Sequence, residues 1–185
     1  MSKSARGAAL VVGGSDAERN RWAEALPDHV TPVTVADGTE ALAQLEPETE
    51  VLLVHRDLPD RDAPALVTEA RERGATFRAA LLSPEAPETD VVAEGFDAWL
   101  LVPVEPDLLT RTVEGLLACR RYDRAIGELY DLASERAAAG DDRLGAHERL
   151  GTARAEADAA LEAIETIDRR ALLANSPAAF RDRSP

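Results

Sequence analysis

Apolar residues recur along the first hundred positions in short unbroken runs separated by polar, helix-favouring stretches. Residues 8–13, AALVVG, make one such run, and residues 50–55, EVLLVH, make another. Residues 77–83, FRAALLS, and 97–102, DAWLLV, follow. Runs this short, bounded by glycine, proline or charge, are expected of strands buried on both faces. A fifth strand is predicted over 30–35, VTPVTV, where Pro32 requires an edge position because it donates no ladder hydrogen bond. Helical spacing fills the gaps, with segments at 16–26, about 38–45, 62–73 and 87–94.

Strands alternating with helices predict a parallel sheet covered on both sides. The fold class expected is α/β, a flavodoxin-like (βα)5 unit with strand order 2-1-3-4-5. Its functional crevice would lie at the carboxyl ends of the strands, where the chain places Gly13, Gly14, His55, Ser83 and Val102.

The pattern changes after residue 105. Leu109, Val113, Leu116 and Leu117 form a stripe at helical spacing, which resumes with Tyr122, Ile126, Leu129 and Ala133 to about Ala138. Gly140-Asp141-Asp142 is a break, and a second helix is predicted from about Asp142 to Ala174. In it, Leu150, Ala157, Ile164 and Ala171 are seven apart, as are Ala153, Ala160 and Ile167. Such heptads predict a hairpin, docking on the body, or a homodimer through these helices. The final NSPAAFRDRSP reads as a flexible tail.

Composition narrows the function classes. The net charge is −14, from 35 acidic and 21 basic residues, and Lys3 is the only lysine. A surface this acidic disfavours direct binding to nucleic acid or anionic lipid. It suits a halophilic protein, whose self-repulsion high salt screens, although an acidic protein from a GC-rich genome gives a similar composition. No run approaches a membrane span and no signal peptide is recognised, so a soluble, cytoplasmic protein is expected. The single cysteine, Cys119, forbids an internal disulfide framework. No P-loop, dinucleotide fingerprint, GxSxG, CxxC or HExxH is present, and His29, His55 and His147 lack metal-ligand spacing. No catalytic residue, metal or cofactor is expected, and the protein is read as not an enzyme.

Residues 8–118 resemble the receiver domain of two-component response regulators. The likeness rests on DGTEAL after strand two, Leu58-Pro59 beyond strand three, Ser83 ending strand four, GFDAWL, and Pro103 after strand five. The resemblance implies an acidic pair holding Mg²⁺, a phosphoacceptor aspartate and a lysine. The matching positions hold Gly13 and Gly14, His55, and Val102. Only the hydroxyl position, Ser83, and the switch-aromatic position, Trp99, keep the family's residue type. Mg²⁺ wants oxygen ligands, and phosphoryl transfer wants cationic stabilisation; neither is supplied. The site is therefore read as a degenerate receiver site, with His55 hydrogen-bonded to Ser83 as a polar plug.

The segment YDRAIGELYDLASERAAA and the acidic helix after it resemble the HalX domain that follows receivers in haloarchaeal response-regulator-like proteins. The resulting division is a receiver-like domain over 1–118, a HalX-like helical domain over 119–174 and a tail over 175–185. The expected function is non-catalytic signalling by protein–protein contact, with a histidine kinase or a regulator as partner. Three alternatives remain: a phosphorylated regulator whose acidic site has moved to Asp16 and Asp57, phosphorylation of His55 itself, and a structural coiled-coil dimeriser.

Overall fold

In the computed structural model the described residues are 7–139 and 143–166, with side-chain surroundings for 7–134 and 149–163. Five strands form one parallel sheet: β1 (Ala8–Val12), β2 (Thr31–Val35), β3 (Thr49–His55), β4 (Arg78–Ser83) and β5 (Ala98–Leu101). The order is β2-β1-β3-β4-β5, with β2 and its Pro32 on the edge. Helices α1 (Asp16–Glu24), α2 (Gly38–Gln44) and α3 (Ala63–Glu72) connect the strands, and α4 (Pro106–Ala139) and α5 (Arg143–Thr166) follow.

Strict alternation of side chains sorts the core into two layers. Leu10, Val12, Leu52, Val54, Ala79 and Leu81 face α2 and α3, meeting Leu42, Leu66 and Val67. Ala9, Val11, Val51, Leu53, Ala80 and Leu82 face the other way, against Trp22 of α1 and Leu109, Val113, Leu116 and Leu117 of α4. Aliphatic residues therefore dominate both layers, since only 4% of the chain is aromatic.

One expected element does not form. Residues 87–94 make no helix; a turn at 91–95 stands in its place. Pro84 and Pro87 interrupt the segment from one side and Gly95, at φ +94°, ends it from the other. The Asp90 carboxylate takes the Val92 amide at 3.0 Å. Val91 is buried as the anchor.

Helix α4 is continuous over 34 residues, so a division at 118/119 falls inside one helix. Arg78, at the start of β4, bonds Asp123, and Glu50, in β3, bonds Arg124. These pairs fasten α4 to the sheet nearly two turns beyond Leu117. From there α4 packs against α5, and with only residues 140–142 between them the two run antiparallel.

The seam between α4 and α5 differs from the expected stripe. On α4 the inward positions are Ala118 and Ala125, flanked by half-buried Tyr122, Leu129 and Leu132. Ile126 and Ala133, expected in that stripe, are exposed. On α5, Ala153, Ala157 and Ala160 are buried and Leu150 is half-buried. Small residues win these positions because they let two backbones approach closely. The side chain of Ile164 and the whole of Ile167 lie outside the described residues, as do Ala171 and the expected helix beyond Thr166.

The seam carries a prediction. Ala157→Glu places a charge where α5 meets α4 and should release α5 without unfolding the sheet. Far-ultraviolet circular dichroism should lose about the signal of one helix, while Trp99 fluorescence stays native.

Candidate functional site

The carboxyl ends of β1, β3, β4 and β5 open on one edge of the sheet, as the parallel topology demands. Gly13 and Gly14 leave β1 with φ of +81° and +72°, a region that strains side-chain-bearing residues. Ser15 then caps α1. Its hydroxyl takes the Glu18 amide, while the Glu18 carboxylate takes the Ser15 amide at 2.8 Å, a reciprocal capping box. Those bonds from Ser15 lower the Glu18 pKa, and the nearby His55 adds to the effect.

The space beside the glycine pair is filled. A Cβ on Gly13 would collide with the Leu58 side chain and lie 3.1 Å from the His55 Cβ. A Cβ on Gly14 would meet the Trp22 ring at 3.0 Å. Trp22 is itself buried, and His55 stacks on it with ring centroids 6.0 Å apart and planes inclined by 19°. Leu58 and Trp22 thus stand where side chains at positions 13 and 14 would begin, and glycine offers no carboxylate there. Mg²⁺, which the resemblance to receivers implies, does not fit these residues.

His55 ends β3 and its Nδ1 accepts the Asp57 amide at 3.2 Å. The Asp57 amide and the Trp22 ring, not Ser83, therefore hold the imidazole. Ser83 is fully buried and turned to its own loop, its hydroxyl donating to the Glu85 carbonyl at 2.5 Å. The expected His55–Ser83 bond does not form because a serine after a strand satisfies itself locally more readily than across a crevice. Val102 is half-buried against the layer that includes Leu100 and Val104. Trp99 is buried in the opposite layer, paired in register with Leu81.

The displaced acids are also placed. Asp16 is 91% exposed and its carboxylate pairs with Arg19 on its own helix. Asp57 is exposed beyond β3, in an isolated bridge with Asp62. Among the described residues no group of three or more His, Cys, Asp or Glu side chains is placed to hold a metal ion.

Sequence reasoning missed what holds Leu58 in place. Asp60, two residues later, accepts the Gly38 amide, the Thr39 amide and the Thr39 hydroxyl at 2.8–2.9 Å. Arg61 braces Asp60 and reaches Glu69 on α3 at 2.6 Å and the Thr39 hydroxyl at 3.1 Å. The loop after β3 is thereby clasped to the start of α2. The Gly38 amide above all, with Thr39 and Arg61, holds the Asp60 carboxyl at about 2, below its ordinary 3.8. The available signal was Leu58 itself, the single apolar residue in RDLPDRD, which a solvated loop would not need.

Comparison with known proteins agrees with this fold. No family model matches the sequence. A protein of Haloferax volcanii described as a "Putative transcriptional regulator" is 35% identical over 105 residues, 57% of this chain; the chain spans only 18% of that relative's length. The chemotaxis response regulator CheY4 of Vibrio cholerae superposes with a TM-score of 0.53 at 26% identity, covering 60% of this chain and 98% of that one. The signal receiver domain of an HD domain-containing protein from Pseudomonas fluorescens gives 0.55 at 21% identity, over 62% and 97%. The structural neighbours are receiver domains, and the sheet and its flanking helices have the CheY-like form of the flavodoxin-like fold. Among the described residues no helix is long and apolar enough to cross a membrane.

Two predictions follow from the crevice. Gly13→Asp sets a side chain at positive φ against Leu58 and should destabilise the fold by about 1–3 kcal/mol, read by denaturant unfolding in high salt. The Asp60 clasp should fail in acid. Its folded pKa is depressed, so its stabilisation is complete above pH 3.8 and disappears as pH falls through about 2. Asp60→Asn should flatten the stability profile across that window.

Proposed function

We propose that this chain is a receiver-like signalling module that has given up phosphorylation and works through protein–protein contact. The observation that carries the reading is the filled crevice: Leu58 and the Trp22–His55 stack stand where a metal and a phosphoryl group would have to enter. Gly13, Gly14, His55 and Val102 replace the carboxylate pair, the acceptor and the cation together, and Ser83 is engaged with Glu85. No other cation serves in place of the lysine in this reading, so charge developing on a phosphoryl oxygen would go unstabilised. We assign no catalysis, metal or cofactor to the crevice.

The division proposed is a receiver-like domain over 1–118, a HalX-type helical domain over 119–174 and a tail over 175–185. The hairpin of α4 and α5 would present the surface that a partner reads, whether a histidine kinase, another regulator or a second copy of the chain. The Haloferax volcanii relative supports a regulatory and transcriptional setting, within a longer protein than the segment matched here. The charge of −14 argues that any effect on DNA is exerted through other proteins, and that the working environment is salt-rich cytoplasm. The alternative of a rebuilt acidic site gains nothing from Asp16, whose carboxylate is already paired with Arg19.

Beryllofluoride, a phosphoryl mimic, tests the reading. In molar salt with Mg²⁺, the ¹H–¹⁵N correlation spectrum of the full chain, with Trp22 in place, should show no saturable change. A saturable, Mg²⁺-dependent change would mean that Asp16, Asp57 or other acids restore the site, and would overturn the proposal.

A further inference from the structure

A second site lies at the opposite end of the sheet, where the amino end of β4 meets α4. A cavity of about 330 Å³ opens there, lined by Arg71, Ala75, Phe77, Arg78, Arg120 and Asp123, with Thr76 at its rim. Three guanidinium groups converge on it in a chain that is otherwise strongly acidic.

Their partners are unequal. Arg78 engages two carboxylates, Asp97 and Asp123, the latter through both Nε and Nη2. Arg71 lies over the Phe77 ring, 5.5 Å from its centroid, and 3.8 Å from Asp97 Oδ2, which also accepts the Ala79 amide at 2.8 Å. Among the described residues no carboxylate pairs with Arg120. Its Nε donates to the Thr76 carbonyl at 3.1 Å and its Nη2 to the Thr76 hydroxyl at 2.6 Å, both neutral acceptors. Among the described residues the three arginines therefore share two carboxylates, and one positive charge is left at the cavity wall.

We propose that this cavity binds a small organic carboxylate. Thr76 takes the Nε–Nη2 edge of the Arg120 guanidinium and fixes its plane, leaving the Nη1–Nη2 edge as the two-donor fork that a carboxylate accepts. The two Asp carboxylates nearest the ligand are paired with Arg78 and Arg71, whose two charges balance theirs. Ala75 and the Arg71–Phe77 stack offer an apolar wall for the body of the ligand. A single negative charge matches the single uncompensated positive one. The bound molecule would bridge the lead-in to β4 and α4 beside the Arg78–Asp123 pair, fixing the point at which α4 leaves the sheet. The site shares no residue with the crevice, so its occupancy does not depend on whether that crevice takes phosphate.

Benzoate is the probe. Sodium benzoate would replace sodium chloride at constant ionic strength, with the full chain followed by ¹H–¹⁵N correlation spectra. Saturable shifts are expected at the amides of Thr76, Phe77 and Arg78 and at the Arg120 Nε–H. Linear or scattered shifts would overturn the site. Benzamide, of equal shape and no charge, should not bind, and equal binding would overturn the role of the charge. Arg120→Gln should weaken benzoate tenfold or more. Ala75→Leu, which fills the cavity without touching a charge, should do the same while leaving the fold intact. Unchanged affinity in that variant would refute the location.

Discussion

Everything in this molecule hangs on a sheet whose three middle strands are buried on both faces. Leu10 and Val12 of β1 point one way and Ala9 and Val11 the other, and β3 and β4 repeat the pattern. Such strands cannot be left half-covered in water, so helices must lie on both sides. α1 and α4 cover one face, α2 and α3 the other. Parallel strands then deliver all their carboxyl ends to one edge, whatever chemistry happens to stand there. The site is thus a product of topology first and of residue identity second. This explains how the frame can persist after its phosphate chemistry is proposed to have gone.

That edge is filled by packing. Leu58 plugs the space beside Gly13 and the Trp22–His55 stack that beside Gly14, and the glycines at 13 and 14 are what make room for them. The plug is held by a polar clasp, since Asp60 ties its loop to the first turn of α2 and Arg61 ties it to α3. An aliphatic side chain at the mouth of a sheet would otherwise gain little, because a mobile loop would carry it into water. Burial and hydrogen bonding here support each other: the clasp orders the loop, and the ordered loop buries Leu58.

Much of this was legible along the chain, for reasons that can be named. Strand runs such as VLLV have one physical use, and Pro32 could stand only at an edge. Positions at strand ends follow from counting: His55 and Ser83 close β3 and β4, and Gly13, Gly14 and Val102 follow β1 and β5. What escaped were matters of competition. The segment at 87–94 had helical spacing but also two nearby prolines and a glycine, and the breakers won. His55 was matched to Ser83 by proximity of strand ends, but each found a nearer partner in its own loop. On α4, hydrophobicity pointed to Ile126, whereas close packing of two helices favoured Ala125 one step away. Clasp residues such as Asp60 and Arg61 look like ordinary surface charges until the fold brings α2 beside them.

The unbroken course of α4 has a mechanical meaning. The helix is held by the sheet as far as Arg124 and then runs on for fifteen residues, a projection of about 22 Å at 1.5 Å per residue. No loop interrupts it, so the hairpin cannot swivel independently of its seat. It behaves as a lever whose fulcrum is the Arg78–Asp123 and Glu50–Arg124 pairs. A tilt of roughly 10° at that seat would carry the tip through about 4 Å over such an arm. A contact too slight to disturb the sheet would be magnified into a displacement that a partner gripping the far end could feel.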